Sequence, residues 1–499
     1  MGALIERATV KNMSFDLVIR NGLVTTATEQ TRCDIGITDG KIAALSPSLT
    51  NGRKEIDAAG MLVLPGGIDS HCHIEQMSSL GIMNADDFYS GTVSAAFGGT
   101  TTIIPFAAQH RGQSLKKVVE DYHQLAGPKA VIDYAFHMII SDPSPQVMTT
   151  ELPELIERGY QSFKVFMTYD LLKLDDYQIL DVLALARRRG ALTMVHAENH
   201  DMIRWLADRL IDRGHASPKF HAVAHASLAE EEATSRVIYL SELLDVPIFI
   251  VHVSAPGAMD VIRAAQSRGL KVYAETCPQY LFLTADDLDK DAMEGAKFCC
   301  SPPPRDHASQ EAMWNGIVNG TFQIVSSDHA PFRFDKSGKL IHGADAPFKK
   351  IPNGIPGLAV RMPLLFSEGV QKGRIDIRRF IDVTATQPAK LFGLFPQKGT
   401  IAPGSDADLA IWDPNTDVTI RWENLHDNVG YTPYEGRELK GWPITVISRG
   451  RVLVQDGKLH AERGSGRFLS RGRLDAAIPL DRTSEAIALA RRFGATDII

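Results

Sequence analysis

Long apolar runs are missing from this 499-residue chain. Nothing in it approaches the roughly 20 consecutive apolar residues of a bilayer-spanning helix, so no helix is expected to span a membrane. Basic clusters are missing too. The 53 Lys and Arg are offset by 60 Asp and Glu, a formal charge of −7, and the two signs are mixed along the chain. That leaves no footprint for nucleic acid and neither an acidic tail nor a basic arm. Cysteine is scarce: Cys33, Cys72, Cys277, Cys299 and Cys300, an odd number at irregular spacing with no CxxC. A disulfide framework and a thiolate zinc site are therefore not expected. Met1 to Leu17 lacks the apolar core of a secretory leader, and with reduced thiols this predicts a cytoplasmic protein. There is no internal repeat, no low-complexity tract and no GxSxG nucleophile elbow.

What is present is a large apolar fraction, 44% of residues, in a chain longer than one domain of ~150 residues. Near the N-terminus, Phe15–Ile19 and Asp34–Thr38 are short apolar runs followed by Asn21-Gly22 and Asp39-Gly40. These dipeptides supply the positive φ of hairpin turns. The same style returns at Asp408–Trp412, Thr445–Ser448 and Arg451–Val454. Between these pieces, apolar β-branched runs alternate with helical periodicity. The runs are Leu62–Pro65 leading to His71, Thr100–Pro105, Ile132–Ile140, Ser162–Met167, Leu192–His196, Pro247–His252, Leu270–Thr276 and Phe322–Ser326. Helical stretches such as Asp175–Arg189, Glu230–Leu244 and Pro256–Arg268 separate them. Eight parallel strands in ~270 residues fit a closed (β/α)₈ barrel, with an open doubly wound sheet as the competing fold. The expected fold class is α/β, a (β/α)₈ TIM barrel with a small β-sandwich built from both chain ends. The expected boundaries are 1–63 and 396–465 for the two sandwich parts, 64–395 for the barrel, and 466–499 for a tail with a helix over Ser484–Phe493 that would meet a neighbouring subunit.

Hard polar residues stand at the C-terminal ends of these strands, where barrel enzymes keep their active sites. His71 and His73 flank Cys72, so in extended chain both imidazoles point to one side. Lys164 lies within Phe163-Lys164-Val165-Phe166-Met167, where a charged amine is costly. It is either a snorkelling lysine on a carboxylate or a neutral amine that takes up carbon dioxide to become a bridging carbamate. His196 ends Leu192–Val195, His252 ends Ile248–Val251, and Asp328 follows Ile324–Ser327. Taken singly these are common residues. Together they form a set of imidazoles, a carboxylate and a carbamate that suits Zn²⁺, with Mn²⁺, Fe²⁺ and Co²⁺ as alternatives.

These motifs resemble the dihydropyrimidinase and D-hydantoinase family of the amidohydrolase superfamily. The likeness runs from Asp16–Gly22 to about Gly457. It rests on Pro65–His73, Asp86–Thr92, Gly98–Thr101, Lys164–Tyr169, His196–Asn199, Cys300–Pro303, Asp328–Phe332, Pro352–Gly357 and Gly404–Leu409. The resemblance implies hydrolysis of a cyclic amide by a cation pair. His71, His73 and Asp328 would hold the more buried ion and His196 and His252 the more exposed one, with carbamylated Lys164 (N6-carboxylysine) and a hydroxide bridging them. Tyr169 would donate to the developing oxyanion, and Ser301 and Asn353 would grip the ring amide, largely through their backbone. Asp328 would take the nucleophile's proton and return it to the leaving nitrogen. Two dications against three monoanions leave one positive charge where the tetrahedral intermediate turns negative. Metal binding brings the pKa of water from about 15.7 to about 7, so a hydroxide exists at neutral pH. Relatives of this kind are usually homotetramers.

Glu198, two residues after His196, is a candidate to orient that imidazole, as are His137 and His329 for their neighbours. After the HxH pair the relatives carry an apolar, proline-containing lid. Here the run is Ile74–Met83, Cys72 replaces a usual threonine, and Pro105–His110 is also atypical. Dihydroorotases place a carboxylate-gripping arginine where this chain has Glu75, which disfavours a dihydroorotate-like substrate. The absence of an Asn-Glu-Pro run disfavours allantoin. Met77, Leu80, Ile82, Leu171 and Leu172 would line an apolar pocket. The expected substrates are neutral 5-substituted hydantoins or dihydropyrimidines, opened to N-carbamoyl amino acids. The alternatives are another cyclic imide or lactam hydrolase, an allantoinase, or a non-catalytic scaffold of the same fold.

Overall fold

The computed structural model describes residues 14–49, 52–78 and 80–496. The leader question concerns mainly residues 1–13, which lie outside that range, as does Ser79 of the run after the HxH pair. Eight parallel strands succeed one another: β1 (Gly67–Cys72), β2 (Thr100–Ala108), β3 in two pieces (Asp133–Tyr134 and His137–Ile139), β4 (Ser162–Phe166), β5 (Leu192–His196), β6 (Ile248–Ile250), β7 (Val272–Thr276) and β8 (Ile324–Val325). The ring closes where the segment after β8 returns to β1. Cys72 and His329 form a parallel bridge, and the His73 N–H donates to the His329 carbonyl at 2.7 Å.

The β4–β5 unit illustrates the local logic. Asp175 caps the helix Asp176–Arg189 in a reciprocal capping box with Gln178. Gly190, at φ 68°, ends the helix in the left-handed conformation that glycine adopts without penalty. Ile179, Val182, Leu183, Leu185 and Ala186 fall on the buried face, and each large side chain there contributes about 1.5–3 kcal/mol of apolar burial. Every residue of β4 and β5 is buried, because helices cover the outside and side chains fill the inside.

Two further sheets lie beside the barrel. One has the order Lys41–Ser46, Asp34–Thr38, Phe15–Arg20, Gly52–Asp57. The other runs Lys458–Leu459, Arg451–Gln455, Glu438–Ser448, Leu409–Thr419, Leu62–Pro65, Leu23–Thr25, Gln30–Arg32. They share one core, in which Leu17, Ile35 and Ile37 meet Leu409, Ile411 and Ile447. One expectation changes here. Leu62–Pro65 does not open the barrel; it pairs antiparallel with Leu409–Trp412 and parallel with Leu23–Val24. The chain crosses from this sheet into β1 at Gly66, where a Cβ would stand 2.2 Å from the Thr101 hydroxyl oxygen.

A buried charge cluster fastens the two parts. The Lys398 ammonium, 1% exposed, lies 2.7 Å from both Asp133 at the start of β3 and Asp408, and 3.1 Å from Asp406. Arg449 adds a second cation, 3.0 Å from Asp133. The tail carries a helix over Glu485–Arg492, capped by Ser484, with only Ile487 buried. Among the described residues no helix is long and apolar enough to cross a membrane.

Candidate active site

The strand ends bring the six expected side chains together. His71 belongs to β1 and His73 follows it; Lys164 is in β4, His196 ends β5, His252 follows β6 and Asp328 follows β8. The Lys164 amine lies 2.9 Å from His71 Nε2. Asp328 Oδ1 lies 3.1 Å from His71 Nε2 and 3.4 Å from His73 Nε2. His252 Nε2 lies 2.8 Å from His196 Nδ1. His71, His252 and Asp328 each offer a ligand atom within 4.8 Å of the others. His252, Asp328 and Tyr169 take positive φ values of 40°, 47° and 71°. Each such residue costs of order 1–3 kcal/mol, held by its surroundings.

Electrostatics prepares the donors. Burial pushes the Lys164 amine down to about 8, against the pull of Asp328 and Glu275. Its ammonium sits over the rings of Phe106 and Phe166, at 4.6 and 4.9 Å. Burial lowers His73 to about 4 and holds His252 well below the usual histidine range, helped there by His196 and Lys164. Burial would raise the Asp328 carboxyl, yet His71 and His73 hold it well below the carboxylate range. Burial and Lys164 oppose protonation of His71, but Glu275 and Asp328 carry it above its ordinary value. An ionised carboxylate beside neutral imidazoles is the state cation binding requires, and His73, His196 and His252 meet it, all three held below the usual histidine range, whereas His71 would give up its proton to a cation. The donor set fits a divalent cation, and two buried atoms support that fit: His252 Nδ1 and Glu275 Oε2 find no hydrogen-bond partner within the protein.

Hydrogen bonds on the far side of three of the four rings, those of His71, His73 and His196, fix which nitrogen faces inward. Glu198, whose carboxyl is held well below its usual range despite burial by His225 and His196, accepts from His196 Nε2 at 2.7 Å. That leaves His196 Nδ1 as the inward lone pair. Glu275 accepts from His71 Nδ1 and leaves Nε2 inward. Gln76 Oε1, 2.8 Å from His73 Nδ1, does the same there. Glu198 also accepts from His225 Nδ1 at 2.8 Å, and His225 rests against His221, whose Nε2 lies 2.8 Å from the Cys300 carbonyl. The imidazoles of His137 and His329 hydrogen-bond none of the six side chains. His137 is held by Ser70 and Ser162, and His329 by Asp86 and the Gly357 N–H. Sequence reasoning missed Glu275, Gln76, His221 and His225. For Glu275 a signal existed: a carboxylate inside the strand Val272-Tyr273-Ala274-Glu275-Thr276.

Comparison with known proteins bears on this constellation. The amidohydrolase family model matches residues 62–453. The chain belongs to the amidohydrolase family. It is 45% identical over 462 residues to the D-hydantoinase of Geobacillus stearothermophilus, covering 92% of this chain and 97% of that one. It is 43% identical over 457 residues to the D-hydantoinase of Ralstonia pickettii, covering 91% and 99%. The crystal structure of the dihydropyrimidinase of Brevibacillus agri superposes with a TM-score of 0.89 at 43% identity, covering 92% of this chain and 99% of that one. Membership of this family implies a divalent metal.

In this amidohydrolase five of the six side chains, His73, Lys164, His196, His252 and Asp328, open onto a cavity of 370 Å³, and His71 is fully buried beside them. Tyr169, Ser301 and Asn353 line it, and the Tyr169 hydroxyl lies beside Ser301 and Asn353. Burial, then Glu198, raises that phenol above its ordinary value and keeps it a proton donor. Leu80, Leu171 and Leu172 line the cavity with Ile203, Phe332 and Phe348. Met77 and Ile82 do not: Ile82 is buried beneath and Met77 pairs with Met83 at the surface. Glu75 is also absent from the lining. At φ 49° its side chain turns to Lys129 and accepts the Phe88 N–H at 3.1 Å, so it is neutralised and Gln76 takes the inward position. Repulsion by Glu75 therefore says nothing about which ring enters.

Proposed function

We propose that this protein opens hydantoin or dihydropyrimidine rings hydrolytically at the C–N amide bond, releasing N-carbamoyl amino acids. The observation that carries the reading is the meeting of His71, His73, Lys164, His196, His252 and Asp328, from five strand ends, beside one cavity that all of them but His71 line. His71, His73 and Asp328 would hold one divalent cation, His196 and His252 a second, and Lys164, as a carbamate, would serve both. Zn²⁺ suits these nitrogen and oxygen donors. When bound, a divalent cation there would supply Lewis acidity and lower the pKa of water.

The chain's own residues do the rest. Asp328, ionised and 3.1 Å from His71, takes the proton of the attacking water and delivers it to the departing ring nitrogen. Tyr169 donates its hydroxyl to the oxygen that gains charge. Ser301 and Asn353 hold the ring amide in register beside it. Leu80, Leu171 and Leu172 receive an apolar ring substituent. We further propose a cytoplasmic homotetramer, divided close to barrel residues 64–395, sandwich parts 1–63 and 396–465, and a tail from 466, with Leu64 and Pro65 moved to the sandwich by their pairing with Leu409 and Ala410. Support for this division is the shared core of the two flanking sheets.

The test is a panel of 5-substituted hydantoins, dihydrouracil, a cyclic imide, a lactam and allantoin offered to metal-loaded protein, with metal content measured in parallel. Ring opening of the first two classes is expected. Turnover confined to the imide, lactam or allantoin, or a chain that takes up no metal, overturns the reading.

A further inference from the structure

Lys339 lies in the segment that leads away from Asp328, and only 1% of it is exposed. Its ammonium donates to the Cys299 carbonyl at 2.8 Å and the Pro352 carbonyl at 2.7 Å. Among the described residues no carboxylate lies within ion-pair distance of it, and burial pushes its amine down to about 8. Burying an ammonium on neutral acceptors alone is expensive, and an apolar side chain of the same length would fill the space at lower cost. The choice of acceptors gives the charge a purpose.

Cys299 stands two residues before Ser301, and Pro352 immediately precedes Asn353. The Pro352 carbonyl and the Asn353 N–H belong to one planar peptide group. A cation on that oxygen draws electron density from the nitrogen and makes its N–H a stronger donor. The Cys299 carbonyl also accepts the Gly354 N–H at 3.0 Å, so the two loops are tied at one point. Gly354 fits only because it lacks a Cβ: at φ 139° that atom would stand 2.3 Å from the Ala330 carbonyl oxygen. Lys339 itself does not line the cavity, whereas Ser301 and Asn353 do. The Asn353 side-chain oxygen is buried there without a partner in the protein.

We propose that Lys339 is a positioning residue for the ring amide: it fixes the separation of the Ser301 and Asn353 loops and strengthens the Asn353 N–H that meets the ring. The proposal rests on Ser301 and Asn353 being the ring-binding pair. Lost positioning weakens substrate binding while the six cation-holding side chains stay in place, so KM and not metal content is the sensitive quantity.

The experiment compares wild-type holoenzyme with Lys339→Met and Lys339→Gln, using 5,6-dihydrouracil as substrate. Metal content and thermal midpoint are measured on the same preparations. Lys339→Met is expected to raise KM about tenfold or more with kcat within about threefold, metal content unchanged and the midpoint preserved. Lys339→Gln keeps one amide donor and is expected to fall between. An unchanged KM in either variant, or an activity loss that tracks lost metal, overturns the proposal. If Lys339→Met does not fold, Lys339→Gln decides by the same criteria; failure of both to fold overturns it, since Lys339 would then serve the fold alone. A wild-type holoenzyme inert toward dihydrouracil and hydantoins would instead refute the proposed function.

Discussion

Lys164 has a reactivity that pH should expose. Only the neutral amine adds carbon dioxide, and burial brings its midpoint down to about 8. The amine is charged below that value and neutral above it. Reconstituting metal-stripped protein with Zn²⁺ and bicarbonate from about pH 6 to about pH 9, at constant dissolved CO₂, should give an activation rate that climbs through about 8 and then levels off. A flat profile in activity regained against time would count against carbamylation. Glu275 offers a second test. Glu275→Gln keeps the shape but removes the charge that holds His71 Nδ1 and the His252 N–H. Cation affinity should fall about 10- to 100-fold in a competitive chelator titration. The six strand-end residues were legible because each hard polar group interrupts or ends an apolar run. Glu275 and His225 were not, because their partners His71 and Glu198 come from other parts of the chain, and Gln76, close to His73 in sequence, turns inward only because the backbone at Glu75 is left-handed. Glu75 was misjudged because a left-handed backbone turns its side chain away from the position that spacing assigns.

At the level of strands and helices, the decisive joint is between β3 and the segment around Asp406 and Asp408. Lys398 is the one side chain there that reaches Asp133, Asp406 and Asp408 together. Lys398→Met would leave buried carboxylates with Arg449 as the main remaining cation. A loss of about 3–5 kcal/mol is expected in urea unfolding, the cost of removing one partner from a buried ionic group. Periodicity located β4, β5 and the helix Asp176–Arg189 to within about a residue, because glycine and aspartate punctuate their ends. It could not say to which sheet Leu62–Pro65 belongs. An apolar run reveals that a strand is buried, not which neighbour buries it.

For the whole molecule, cations that bind the folded chain and not the unfolded one add stability by mass action. Stripping with a chelator should abolish ring opening and lower the thermal midpoint, and Zn²⁺ should restore both. Scanning calorimetry on stripped and reloaded protein checks the coupling: restored activity with no shift in midpoint would place the ions outside the folded core.

The pairing of Leu62–Pro65 with Leu409–Thr419 has a consequence for biosynthesis. The ribosome releases the first of these strands long before the second, with the entire barrel emerging in between. Throughout that interval the early strand exposes bare N–H and C=O groups to whatever other nascent chain is near. A message truncated between Asn353 and Leu409 therefore encodes every residue of the proposed site and yet yields an adhesive polypeptide, which ties the yield of active protein to the completeness of translation.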